Sequence, residues 1–160
     1  MQRNIFFVLL TVLMAFTAAA PPALAASPHF VVGPSFTVND NGTVTATGDV
    51  AGLGNKNIDV VLTAELNVEV LCRNPGGNIA PGQTQQTTAT GTQTDIEVKN
   101  GRASFDVTTE PPTLVGTPKQ LGCPNNKWTP EIGEVTVVSA TLQVIQPSGS
   151  DNVVLEATFP

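Results

Sequence analysis

The stretch IDVVLTAELNVEVLC, residues 58–72, alternates apolar and polar side chains along most of its length. Its even-numbered positions are apolar side chains or cysteine: Ile58, Val60, Leu62, Ala64, Leu66, Val68, Val70 and Cys72. A period of two residues is that of a β-strand with one buried face, and it does not fit an exposed amphipathic helix. At about 3.3 Å per residue the run is longer than most strands, so we expect it to bend or to change sheets.

Shorter alternating segments fill the chain after residue 25, and Gly, Asn and Pro mark the turns between them. A slip of one residue in the pairing would turn a strand's apolar face to solvent. The loop length at each turn can therefore be chosen so that the apolar faces of the two joined strands lie on the same side of the sheet. Asn100-Gly101 fits a two-residue type I′ loop, and 40–42 fits a three-residue loop with Gly42 left-handed. The expected pairs across the three clearest turns are Ile96 with Phe105 (100–101), Val38 with Val44 (40–42) and Val144 with Val153 (147–150).

The remaining pattern also indicates strands. The alternation changes phase between Val135 and Ala140, which predicts a β-bulge near Val137-Val138. Residues 83–94, a run of Gln, Thr, Gly and Ala, fit either an edge strand or a flexible loop. The sequence therefore predicts an all-β, antiparallel immunoglobulin-like β-sandwich of seven or eight strands, one domain over residues 26–160, with a closed barrel as the alternative architecture.

Residues 1–25 have the order of a secretory signal. A basic start with Arg3 precedes an apolar stretch, two prolines and the small-x-small triplet Ala23-Leu24-Ala25. We expect a signal helix that is removed after Ala25, so that the domain is secreted to the extracellular space. A retained membrane anchor is the alternative, but the apolar stretch is short for a span of about 20 residues and ends in prolines. After cleavage we expect no membrane attachment.

Cys72 and Cys123 are the two cysteines of the chain. In an oxidising compartment two thiols without metal-like spacing most simply pair, so we predict a disulfide between them. A zinc or catalytic thiol site would need histidine partners, and the sequence has one histidine, His29, close to the expected new N terminus. The same shortage argues against a Ser-His-acid nucleophile, so we expect no enzyme and no cofactor.

Composition limits the partners. Removal of residues 1–25 leaves six Lys and Arg against 13 Asp and Glu, a net charge of -7. This balance repels phosphate backbones, so we expect no nucleic-acid partner.

One group of acidic residues is a weak candidate for a calcium site: Asp95, Glu97 and Asp106. The ladder predicted across Asn100-Gly101 sets Asp95 opposite Asp106, and like charges across a ladder repel unless solvent screens them or a cation bridges them. Flat adjacent strands offer few converging oxygens, so we expect a solvated face and no metal.

The segments CRNPGGN (72–78), APG (80–82), CPN (123–125) with Trp128, and GLGN (52–55) resemble a group of small secreted bacterial β-sandwich proteins with no assigned function. The resemblance would cover most of the chain after the signal. It implies an exported, disulfide-linked β-domain and brings no catalytic residues.

The loops at the disulfide are the candidate binding end. Segments 73–82 and 110–128 carry three cationic side chains against Glu110, a local charge of +2. Loops on a rigid scaffold commonly carry recognition, and the candidate residues here are Arg73, Asn74, Lys119, Lys127 and Trp128. For Trp128 the competing interpretation, which we favour, is packing over the disulfide.

These observations favour a secreted, non-enzymatic binding or structural module of the extracellular space or cell envelope, with a protein or glycan partner at the cell surface. The alternative is a carbohydrate-binding or glycan-active accessory domain, suggested by the acidic residues and Trp128. A third hypothesis is a protease-inhibitor-like display of the Arg73 loop.

Overall fold

The computed structural model describes residues 27–160, and the predicted signal segment with its cleavage point after Ala25 lies outside them. The described residues form strands and no helix, so this part of the chain contains no helix that could cross a membrane. The strands are β1 (His29–Val38), β2 (Val44–Ala51), β3 (Ile58–Arg73), β4 (Ile79–Pro81), β5 (Gln85–Ile96), β6 (Ala103–Thr108), β7 (Thr129–Ile145) and β8 (Val153–Phe159).

The strands form two antiparallel sheets. One sheet has the order β1-β2-β6. In the other sheet, β3 pairs with β7 along one side. Along its other side β3 pairs with β5 over residues 58–68 and with the short β4 over residues 71–73, and β8 lies beyond β7. The predicted all-β class with one disulfide is confirmed. The long alternating run stays in one sheet, so of the two alternatives expected from its length, a bend or a change of sheets, the change of sheets does not occur.

The core lies between the two sheets and is built mainly from aliphatic side chains. All eight even-numbered residues of the run 58–72 are buried, as the alternation predicts. The six from Ile58 to Val68 share one cluster with Val44 of β2 and Phe105 of β6, among others, and Val70 and Cys72 belong to a second, smaller cluster. Burying one Val or Leu side chain contributes about 1.5–3 kcal/mol, so β3 is the largest single contributor to the core. The rings of Phe36 and Phe159 pack at 5.6 Å where β1 approaches β8.

Two local predictions about the strands are confirmed. Val38 pairs with Val44, and Gly42 between them has a φ of 78°. In β7, Ser139 and Val137 lie opposite consecutive residues of β3, so Val138 is the extra residue of a bulge. Residues 85–96 form an edge strand of the second sheet, which decides between the two interpretations of that segment.

The prediction for the hairpin around Asn100-Gly101 is correct for the turn and wrong for the strands on either side of it. Both residues have positive φ, 53° and 73°, as a type I′ loop requires. The predicted pairing of Ile96 with Phe105 is wrong, because the arms pair no further than the bridge between Lys99 and Arg102. Beyond the turn, β5 pairs with β3 and β6 pairs with β2, in different sheets. The left-handed backbone of Asp95, with a φ of 56°, lies at an irregularity in the pairing of β5 with β3, between the pairs Ile58–Ile96 and Val60–Gln93.

The predicted pair Val144 with Val153 is also wrong. Val144 lies opposite Leu155, a shift of two residues that leaves the same face inward. The reason is the loop 146–152, which closes on its own backbone and hydrogen-bonds to the carboxylate of Asp59. These long-range contacts fix a longer connection than the turn residues alone indicate.

Candidate binding end at the disulfide

The disulfide joins Cys72, near the end of β3, to Cys123 in the connection between β6 and β7. The two residues are 51 positions apart, and their Cα atoms are 5.6 Å apart. Both are buried in a small apolar cluster with Val70 and Leu121. The bond therefore fixes the long 109–128 connection to the end of the central strand.

Hydrogen bonds give this connection a defined shape. Residues 117–123 form a tight turn, in which Leu121 N donates to Thr117 O at 3.0 Å and Cys123 N donates to Pro118 O at 2.9 Å. The side chain of Gln85 on β5 bonds both backbone groups of Val115. Gln83 N also donates to Leu121 O of the turn at 2.9 Å, so the connection is held beside β5 by these bonds as well as by the disulfide.

Lys119 on this turn and Lys127 later in the same connection are exposed, and neither forms a salt bridge with a carboxylate in the described part of the chain. Their backbones are held by neighbouring amides. Lys119 N donates to Asn126 Oδ1 at 3.2 Å, and Lys127 N donates to Asn125 Oδ1 at 2.9 Å. The backbone under both ammonium groups is therefore ordered before any ligand binds, which lowers the entropy that binding would cost.

Arg73 is engaged by a residue that the sequence analysis did not place here. Its Nε and Nη2 donate to the two carboxylate oxygens of Glu131 at 2.7 and 3.0 Å, and Nη1 donates to Gly77 O at 3.3 Å. The hydrogen bond and the charge of Glu131 raise the pKa of Arg73, and the same hydrogen bond lowers the pKa of Glu131. The positive charge available at this end therefore rests on Lys119 and Lys127.

Glu110 lies away from this end, and Asn74 lies at it but has a backbone partner. Glu110, counted there from the sequence, donates its backbone N–H to Thr90, far along the sheet from the disulfide. Asn74 lies at this end, but its Oδ1 accepts from Asn78 N at 2.9 Å and shapes the β3–β4 turn. This hydrogen bond gives Asn74 a structural role in the loop.

Trp128 is half-buried and packs against the disulfide cluster. Its packing agrees with the interpretation favoured from the sequence. Stacking on a sugar needs an open aromatic face. The packing of Trp128 against the disulfide cluster covers part of its surface, which argues against such a role.

The three acidic residues considered for a calcium site, Asp95, Glu97 and Asp106, do not form one. Asp95 accepts from Asn57 Nδ2 at 2.8 Å, and Glu97 forms an exposed salt bridge with Lys99 at 3.1 Å. Asp106 lies on β6, in the other sheet, so the ladder that would have set it opposite Asp95 does not form. Within residues 27–160 no group of three His, Cys, Asp or Glu side chains could hold a metal ion.

A buried carboxylate lies at the opposite end of the sandwich. Asp59 is 8% exposed and accepts from Ser148 Oγ, from Asp95 N and from Gly149 N. The Ser148 hydrogen bond is the main cause that lowers the pKa of Asp59, and the two backbone donors add to it against the opposing effect of burial. These bonds connect β3, β5 and the β7–β8 loop, so its role is structural.

Comparisons of the chain with protein families, with curated proteins and with solved structures found no match. Fold and site together define a disulfide-linked all-β domain with an ordered, positively charged loop at one end. The function is therefore inferred from this geometry.

Proposed function

We propose that the protein is a secreted, non-enzymatic binding module of the extracellular space or cell envelope, and that its disulfide end binds an acidic ligand. The observation that carries the proposal is the pair Lys119 and Lys127. Both are exposed on the connection between β6 and β7, which the disulfide and backbone hydrogen bonds hold in place, and neither is neutralised by a carboxylate of the described chain.

Charge gives the ligand its class. The chain after residue 25 has a net charge of -7, so two unpaired cations on one loop form a local attraction for anions on a repelling body. Such an arrangement orients an anionic partner toward the loop, and salt weakens the attraction over about 8 Å at physiological ionic strength. An acidic polysaccharide or an acidic surface protein fits this field.

The strand order supports an immunoglobulin-like topology for the module. We infer that β1-β2-β6 and β5-β3-β7-β8 correspond to the two sheets of such a sandwich, with β4 as a short addition. Domains of this kind carry recognition on the loops at their ends. The disulfide here fixes an end loop to β3, whereas antibody domains use theirs to join the two sheets.

Two observations support a role without catalysis in the described chain. His29 lies at the start of β1, where its Nδ1 is 2.8 Å from Ser27 O. Asp59, the carboxylate most shielded from solvent, uses its oxygens on donors of the chain itself. His29 has no nucleophile as its hydrogen-bond partner, and the lowered pKa of Asp59 makes this carboxylate a weak base toward the Ser148 hydroxyl that it binds.

The proposal is tested with Lys119→Gln and Lys127→Gln, alone and combined. Polygalacturonate serves as a carboxylated polysaccharide probe, and envelope fragments of the producing cell serve as the natural surface. Each substitution should weaken binding by up to about fivefold at low salt, the scale of one exposed ion pair. Lys56→Gln, at the opposite end of the sandwich, is the matched control and should bind like the parent.

Trp128 fluorescence separates this proposal from the glycan alternative. If a neutral polysaccharide quenches Trp128 and the double lysine variant binds it unchanged, the carbohydrate-binding interpretation is favoured. If the double variant binds polygalacturonate and envelope fragments as tightly as the parent at low salt, the lysines are not the site.

A further inference from the structure

The first part of β7, residues 129–139, has a neighbouring strand on one side only. β3 pairs along that side, whereas β8 pairs with the later part of β7 and reaches Ala140. No other strand among residues 27–160 lies beside 129–139. One row of backbone N–H and C=O groups is therefore open along this edge, which is a template for an added strand.

A groove lies beside this edge. It has a volume of about 500 Å³ and separates the start of β7 from the β1–β2 turn. Val38 and Ile132 line it and are 45% and 42% exposed. Ile132 lies opposite Val70, which is fully buried, so the inner side of the sheet loses its cover at this point. An apolar side chain entering the groove would restore that cover.

Charges on the groove select the kind of strand. Asp40 and Glu134 line it, and neither forms a salt bridge within the described chain. Glu131 at the same edge is already paired with Arg73. A second copy of this chain would bring the same acidic edge, and like charges across a ladder destabilise it. A basic strand would meet complementary charge.

Bulges restrict the edge further. β7 has an irregularity at Val138 and another between Ile132 and Val135. Bulges and charges are common means by which edges avoid pairing with themselves. Here they leave the edge open to a strand of matching register and charge.

We propose that residues 129–139 bind an extended basic segment of another protein, which adds to the sheet antiparallel to β7 and in line with β8. Apolar side chains at alternate positions of that segment contact Val38 and Ile132. Its Lys or Arg side chains leave the opposite face of the strand, and they are long enough to bend over the open edge toward Asp40 and Glu134. This inference goes beyond the proposed function, because it concerns a different surface and a ligand of opposite charge.

The test uses a synthetic peptide of about nine residues that alternates Val and Lys, a usual strand length. Binding should protect the amides of residues 129–139 from hydrogen exchange. A peptide with the same side chains but with alternate backbone nitrogens methylated should not bind, because it cannot pair with the edge. A peptide with Glu in place of Lys should also fail to bind.

Glu134→Lys should weaken binding of the Val-Lys peptide by up to about fivefold. Asp151→Lys makes the same charge change in the β7–β8 loop and should leave binding unchanged. Thermal melting of both variants checks that they fold, and polygalacturonate binding should not fall in either, which separates this edge from the lysine site. The inference is overturned if the peptide does not bind, if the methylated peptide binds equally, if protection appears elsewhere, or if the protein dimerises through residues 129–139.

Discussion

At the scale of single residues, burial and partners redefine several side chains that look alike in the sequence. Asp59 occupies a polar position of an alternating strand, yet it is buried and accepts three hydrogen bonds. Its donors come from positions 36 to 90 residues away, so no local spacing indicates them. The sequence indicated that residue 59 falls on the polar face of the strand, but it did not indicate the structural role of this carboxylate.

Asp59→Asn should lower the free energy of unfolding at neutral pH by about 1–3 kcal/mol, because an amide cannot accept on both sides and leaves a donor unpaired. Denaturant titration measures the change. Asp151→Asn, on an exposed loop, is the matched control and should stay within about 0.5 kcal/mol of the parent.

The pH dependence follows from the lowered pKa of Asp59. A folded-state pKa below the unfolded value means that the carboxylate contributes its full stability above the ordinary Asp pKa of about 3.9. That contribution is lost as the pH falls through the lower folded-state value. Between pH 5 and 2 the parent should therefore lose more stability than Asp59→Asn. Equal slopes for the two proteins would contradict this role.

Arg73 and Glu131 allow a second prediction at this scale. If Arg73 acts mainly by neutralising Glu131, Arg73→Gln should weaken binding of polygalacturonate by exposing an anion. Adding Glu131→Gln should then restore the affinity of the parent. If Arg73 itself contacts the ligand, the double variant should bind as weakly as Arg73→Gln, which binding titrations at low salt would show.

At the scale of elements, periodicity predicted which residues of a strand face the core, and turn chemistry predicted local loop types. The even positions of 58–72, the Gly42 turn and the bulge at Val138 all follow from such patterns. Strand partners did not follow, because Asn100-Gly101 fixes its turn but not the continuation of its arms. β5 pairs along β3 and β6 along β2, and this choice depends on distant strands.

Gly91 provides a test of the junction between the two sheets. A Cβ at this position would overlap the carbonyl group of Thr108, so the backbones of β5 and the end of β6 approach closely here. Gly91→Ala should lower stability by about 1–3 kcal/mol through overpacking. Gly54→Ala, where a Cβ meets no atom within 4 Å, is the control. Equal thermal stability of the two variants would contradict the close approach.

At the scale of the whole molecule, the disulfide connects fold and candidate site. It closes a separation of 51 residues, and a bond across that length stabilises by about 4 kcal/mol in the chain-entropy model. Replacing both Cys72 and Cys123 with Ala should lower the free energy of unfolding by that order, measured in guanidinium chloride. An unchanged midpoint and slope would contradict it.

The candidate binding end was predictable in part for the same reason. Disulfide chemistry and the turns of the chain placed Lys119, Lys127 and Trp128 near Cys123. The pairing of Arg73 with Glu131, 58 residues away, depends on the register between β3 and β7. The sequence therefore indicated the location of the positive surface, but not which of its cations are free.

The most direct test of the proposed binding end is a titration of polygalacturonate into the isotopically labelled domain, followed by backbone amide chemical shifts. We expect the largest shifts to cluster in residues 115–128 and to fade as salt is raised. Largest shifts at the opposite end, in residues 97–102 or 146–152, or no shifts in residues 115–128 at low salt, would contradict it.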